Sequence, residues 1–245
     1  MSQLEILLPS PPAKRRGGPG RTPRRSGTWM KHRARPWHDE REPVHVTLKV
    51  RRNVPNLRGY RLVKVITDGL RVAATSEHAK KRERRRTFRV VHYSIQPNHL
   101  HLILEATSKT ALARGMQGLA SGLARRVNRG LGRRGSLFVD RYHAHALSTP
   151  TEVRNALVYV LKNYEKHPVG RAERGTAPVR GVDPCSSAGW FDGWASKMPA
   201  STLTAPVARP HTWLMRTGWR RGGGAIAGHE RPARRPGPVG TGRPS

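Results

Sequence analysis

The chain has 245 residues, with 47 Lys and Arg against 15 Asp and Glu, a formal net charge of +32. Only 36% of the residues are hydrophobic, while Gly and Pro number 25 and 20, which excludes one core spanning the whole chain. A positive surplus of this size points to a polyanion, and nucleic acid held through its phosphates is the leading partner. A bias toward Arg, Gly, Ala and Pro codons would explain Arg over Lys, but not the scarcity of acids.

No apolar run is long enough to cross a membrane as a helix, so no membrane role is expected. Residues 4–8 are mostly apolar, but Glu5 interrupts them and no basic segment precedes them, so they do not read as a secretory signal. The expected location is the cytoplasm, with the nucleoid when bound to DNA. Cys185 is the only cysteine, which rules out an intrachain disulfide or a cysteine-based zinc site.

Composition divides the chain into three zones. Residues 1–43 carry Pro, Gly, Arg and Lys without apolar periodicity and read as a disordered basic arm. Residues 44–167 hold nearly all the periodic hydrophobic signal and all five tyrosines. Residues 168–245 form an irregular Gly-, Pro-, Arg- and Trp-rich tail. All six tryptophans lie outside the middle zone.

Within that zone, Val44, Val46, Leu48 and Val50 alternate with His45, Thr47 and Lys49, the period of a strand. Residues 56–74 carry Leu57, Val63, Ile66 and Leu70 at helical spacing, with Gly69 as a weak point. Residues 87–95 read as a second strand, Pro97-Asn98 as a tight turn, and residues 99–105 as a third strand. Residues 110–131 place Leu112, Met116, Leu119, Leu123 and Val127 three or four apart, an amphipathic helix. Residues 136–147 read as a fourth strand. Thr149-Pro150-Thr151-Glu152 is a capping box with Pro at the first helical position, opening a helix to about Lys166. The order β-α-β-β-α-β-α predicts an α+β fold: a ferredoxin-like split βαβ with an antiparallel sheet and an added C-terminal helix, flanked by disordered basic tails. That added helix is the natural cover for the otherwise open face of the sheet.

Strand alternation sends His99 and His101 to one face and Leu100, Leu102 and Leu104 to the other. Two imidazoles so placed suit one divalent cation if a third ligand joins them, and equally suit a half-solvated polar face. His143 and His145 repeat the spacing on the fourth strand and form a rival pair. On the last helix Val153, Leu157, Val160 and Tyr164 share one stripe, so Tyr164 reads as a core aromatic. Tyr159 lies off that stripe with Asn163 one turn beyond it, where it either edges the core or reaches across to the sheet.

The string Tyr93-Ser94-Ile95-Gln96-Pro97-Asn98-His99-Leu100-His101-Leu102-Ile103 resembles the His-hydrophobic-His signature of HUH-superfamily single-tyrosine transposases. Gly135-Ser136-Leu137-Phe138 and Arg141-Tyr142-His143 are similar to the segment before that family's catalytic helix. Tyr159-Val160-Leu161-Lys162-Asn163 is similar to the helix itself. The likeness covers residues 44–167 and is greatest to the REP-associated tyrosine transposase branch. In that branch the Asn is usually followed directly by Pro, whereas here Tyr164-Glu165-Lys166-His167 intervene before Pro168. Gln96 stands where an apolar residue is usual.

The resemblance implies Mg²⁺ or Mn²⁺ on His99, His101 and Asn163, with Tyr159 as nucleophile. It further implies cleavage and rejoining of single-stranded or hairpin DNA through a 5′-phosphotyrosine link. It leaves monomer and homodimer open. The alternative is a non-catalytic or co-opted nucleic-acid-binding protein on the same fold. Arg82, Arg84 and Arg85, in a basic run, and Arg125, Arg126 and Arg129, near the end of the long helix, are candidate phosphate contacts.

Overall fold

The computed structural model describes residues 38–75, 86–163 and 182–231. Its order begins with β1 (Val44–Lys49), α1 (Tyr60–Thr75), β2 (Phe88–Ile95) and β3 (His99–Ala106). It continues with α2 (Lys109–Gly130), β4 (His143–Ala146) and α3 (Pro150–Lys162). A short helix α4 (Trp213–Arg216) follows, with 3-10 turns at Ser187–Trp190 and Gly218–Gly222. The sheet has four strands in the order β2-β3-β1-β4, all pairs antiparallel. That is the split βαβ arrangement the element order predicts.

The pleat then builds two cores, one on each face. Val44, Val46 and Leu48 of β1 and Leu100, Leu102 and Leu104 of β3 are buried against Leu62, Ile66 and Leu70 of α1 and Leu112, Met116, Leu119, Leu123 and Val127 of α2. On the other face Ile103 and Val91 pack with Val153, Leu157, Val160 and Leu161 of α3. The last helix therefore covers the second face, as its position in the chain predicts.

Local chemistry fixes where the helices begin. Thr149 Oγ1 accepts from Glu152 N at 3.2 Å, and Glu152 Oε2 accepts from Thr149 N at 3.2 Å, the reciprocal pair that starts α3. Ser108 Oγ accepts from Ala111 N at 3.1 Å and starts α2. The first helix begins at Tyr60 rather than near Asn56, because Asn56 is spent on a turn in which its Oδ1 accepts from Arg58 N at 2.8 Å. The fourth strand shrinks from residues 136–147 to His143–Ala146. Gly135 takes φ +93° and Asp140 turns back on the Arg141 amide at 2.7 Å, so only an isolated Val50–Phe138 bridge remains upstream.

The tail is irregular, as its composition implies, but over residues 182–231 the expected disorder is not found. This stretch returns to the domain and closes the second core with Ala188, Leu214, Met215, Trp219 and Ile226. The tryptophans explain the difference, since Trp219 is only 2% exposed and stacks near Phe191. Trp190 and Trp194 donate to Leu203 O and Ala188 O, whereas Trp213 stays half exposed.

Three polar contacts fasten the segment. Arg58 grips Asp183 with both guanidinium nitrogens at 2.8 and 3.0 Å. Buried Glu105 accepts from the His211 and Thr212 amides and from Thr212 Oγ1, all at 2.8–2.9 Å in their shorter contacts. Arg154 of α3 holds Glu230 at 2.5 and 2.8 Å and donates to Gly224 O. The hydrogen bond from Arg154 keeps the Glu230 carboxyl below its usual range. Burial pushes the Cys185 thiol up to about 12, so it stays protonated and inert.

Buried His92 faces this segment, its Nδ1 3.1 Å from Ser187 Oγ and its ring against Phe191. Burial pushes it down to about 4. The unfolded imidazole takes up its proton near 6.5, so the contribution to stability is complete above that pH and lost as pH falls toward 4. The loss amounts to roughly 3 kcal/mol. Urea midpoints at pH 7 and 4.5 should therefore differ more for the wild type than for His92→Gln. An equal difference in both would show that His92 carries none of the acid sensitivity.

Candidate active site

Odd-numbered residues of β1 and β3 point to the α3 face, which brings His99, His101 and Ile103 beside Lys49, Thr47 and His45. His101 is nearly buried at 4% exposure, while His99 sits at the strand entrance, half-buried. The two Nε2 atoms lie 2.8 Å apart. The Tyr159 hydroxyl, from α3, is 3.4 Å from His101 Nε2, and the two rings meet edge to face with centroids 4.9 Å apart. Thus the edge tyrosine reaches the sheet rather than only sealing the core. Tyr164 lies outside the described residues, as do Arg82, Arg84 and Arg85.

The imidazoles are held from behind. Asn98 Oδ1, 2.7 Å from His99 Nδ1, can only accept, so the His99 proton sits on Nδ1 and the Nε2 lone pair faces His101. His101 Nδ1 lies 3.2 Å from Thr47 Oγ1 and 3.2 Å from His45 Nε2. The His45 ring also meets Tyr159, with centroids 5.8 Å apart. His45 and Thr47 lie outside the motifs, and Asn98 lies within the string but is given no role by it. Alternation on the first strand already put His45 and Thr47 on its polar face, but only the register Thr47↔His101 shows what they face.

Asn163 follows Tyr159 by one turn and caps α3. It is fully buried, and its Oδ1 and Nδ2 have no hydrogen-bond partner among the described residues. A buried amide left open in this way is costly unless something else engages it. Two converging Nε2 atoms and an open carbonyl oxygen one turn from Tyr159 fit a divalent ion that accepts nitrogen and oxygen ligands. Among the described residues no three His, Cys, Asp or Glu side chains gather closely enough to hold a metal. Among the described residues, any further ligand would then be an amide, with water or the substrate completing the set.

The rival pair shares the face but not the site. The ladder Thr47↔His143 and His45↔His145 places both histidines on β4, where they are exposed. His145 instead lies 4.0 Å from Glu152 at the start of α3. Arg125, Arg126 and Arg129 sit on α2, across the sheet from Tyr159, where they line a cavity of about 360 Å³ between α1 and α2. The fold does not bring them to the histidines. Among the described residues no helix is long and apolar enough to cross a membrane.

Residues 58–163 match the family model described as "Transposase IS200 like". No curated protein matches the chain. Among solved structures, the chain is similar to one titled "Structure of the REP associates tyrosine transposase bound to a REP hairpin", at 16% identity and a TM-score of 0.43. That alignment covers 56% of this chain and 74% of the other. The segment that matches the IS200-like transposase model is the one that carries His99, His101 and Tyr159.

Proposed function

We propose that this protein is an IS200-like single-tyrosine transposase that cleaves and rejoins single-stranded DNA, hairpin DNA included, through a covalent bond to Tyr159, with Mg²⁺ or Mn²⁺ on His99, His101 and Asn163. The observation that carries this reading is the approach of Tyr159 Oη to within 3.4 Å of His101 Nε2, beside His99 Nε2. A metal ion there supplies Lewis-acid polarisation of a phosphoryl oxygen. The chain's own residues do the rest. Tyr159 Oη forms a bond to phosphorus and loses its proton to solvent. The bond from phosphorus to the 3′ oxygen breaks, and that oxygen leaves as a free 3′-hydroxyl after taking a proton. The bond energy stays in the 5′-phosphotyrosine, so a 3′-hydroxyl can attack later and reseal the strand.

His99, His101 and Tyr159 meet within one chain, which supports a site complete in a monomer. The +32 charge supplies salt-dependent affinity for the strand. The test is incubation with labelled single-stranded hairpin DNA and Mn²⁺, followed by a search for a denaturation-resistant adduct. The His99→Ala/His101→Ala variant should lose the metal-dependent adduct while still binding DNA. Retention of the adduct would move the metal reading to His143 and His145. Tight binding by the wild type with no adduct under any divalent ion would favour a co-opted DNA-binding protein.

A further inference from the structure

We propose that His45, together with Thr47, is a positioning residue that fixes the His101 ring with its proton on Nδ1 and its Nε2 lone pair turned toward His99 and Tyr159. The proposal rests on the reading above for its purpose, but its geometry stands without it. His101 is nearly buried, so its Nδ1 cannot rely on bulk water for a partner. Two atoms meet that nitrogen at equal range, Thr47 Oγ1 and His45 Nε2, both 3.2 Å away. Both come from β1, and Thr47 is the direct cross-strand partner of His101. A neutral imidazole has one donor nitrogen and one acceptor nitrogen, so whichever atom receives the Nδ1 proton also decides that Nε2 is bare.

His99 obeys the same logic by a different route. Its Nδ1 is held by Asn98 Oδ1 at 2.7 Å, an acceptor from the turn before β3. The two rings are thus held from opposite sides, one by its chain neighbour and one by β1. Each has its Nε2 turned to the other, 2.8 Å apart, a separation that two lone pairs hold only with a proton or a cation between them. The β1 contacts also limit ring rotation, since the His45 ring lies 5.2 Å from His101 and 5.8 Å from Tyr159, centroid to centroid. His45 therefore packs beside both rings, which also meet each other at 4.9 Å. A partner that orients a ligand imidazole is expected to govern its affinity for the ion by about 10–100-fold.

Two readouts test the proposal in the full-length protein. Long-range ¹H–¹⁵N spectra of the metal-free protein at pH 8 report the His101 tautomer directly. The wild type should show the proton on Nδ1, and His45→Ala/Thr47→Val should show a mixture. Electron paramagnetic resonance of free Mn²⁺ then gives the ion's affinity without DNA or turnover. The double variant should bind Mn²⁺ about 10–100-fold more weakly, while Thr47→Ser, which keeps the hydroxyl, stays near the wild type. If the double variant fails to match the wild type by circular dichroism, Thr47→Val alone serves, since it keeps the side chain's shape.

An Nε2-protonated His101 in the wild type would overturn the proposal. So would a variant with unchanged tautomer and unchanged Mn²⁺ affinity. Failure of the function reading looks different: no adduct forms with any divalent ion, yet the His101 tautomer is Nδ1–H and shifts when His45 and Thr47 are replaced.

Discussion

The Tyr159→Phe variant, given hairpin DNA and Mn²⁺, is expected to form no denaturation-resistant adduct, whereas Tyr164→Phe should form as much as the wild type. The substitution removes one oxygen and leaves the ring. The edge-to-face contacts of that ring with His101 and His45 persist, so the fold and the approach of α3 to β3 are kept. Tyr159 is only partly buried, which keeps the cost of losing its hydroxyl small. DNA binding, carried by the basic surface, is expected to be unchanged. What disappears is the atom that bonds to phosphorus in the proposed reaction. Cys185 is buried and protonated. The measurement is a radiolabelled band on a denaturing gel, run with melting curves of each variant. An adduct surviving Tyr159→Phe would remove Tyr159 from the role of nucleophile.

Trp219→Ala should be the most damaging single substitution outside the site, costing about 3–5 kcal/mol. Trp219 is among the largest fully buried side chains and seals the α3 core with Phe191, Leu214 and Met215. Its ring also fills the space beside Gly193, where a built Cβ would lie 2.5 Å from it. A loss of this size is a large part of the roughly 5–15 kcal/mol that holds an ordinary domain together. Ending the chain at residue 181 should go further, leaving Val153, Leu157, Val160 and Leu161 with no cover from the tail. Thermal unfolding followed by near-ultraviolet circular dichroism measures both. A chain of residues 1–181 that melts like the full protein would show that the tail is dispensable for the second core.

The strands and the long helices were legible because each obeys one period. Val44 to Val50 alternate, and Leu112 to Val127 recur every three or four residues. The histidine pair was legible for the same reason, since parity alone puts His99 and His101 on the face that α3 covers. The tail was legible as an irregular segment that its tryptophans could pin to the core, but not in its path. Its order comes from single long-range contacts, such as Arg58 with Asp183 and Glu105 with Thr212, which leave no local pattern. The rest of the site was hidden likewise. His45 and His101 are far apart in sequence, and only pairing across the sheet joins them. The fourth strand was overread because Val139 and Phe138 have strand propensity, while the Gly135 and Asp140 turns that break it act locally.

The fastening of α3 also orders events during synthesis. The helix that carries Tyr159 is complete by Lys162, yet its outer face is covered by residues 213–230, made much later. Lys162 itself is buried and donates to Gly228 O. A nascent chain that has just released Asn163 therefore holds His99, His101, Tyr159 and Asn163 but not the packing that seats α3. The packing that seats Tyr159 against the sheet is therefore complete only after residues 213–230 have been made, and a product that stops before them lacks that seat.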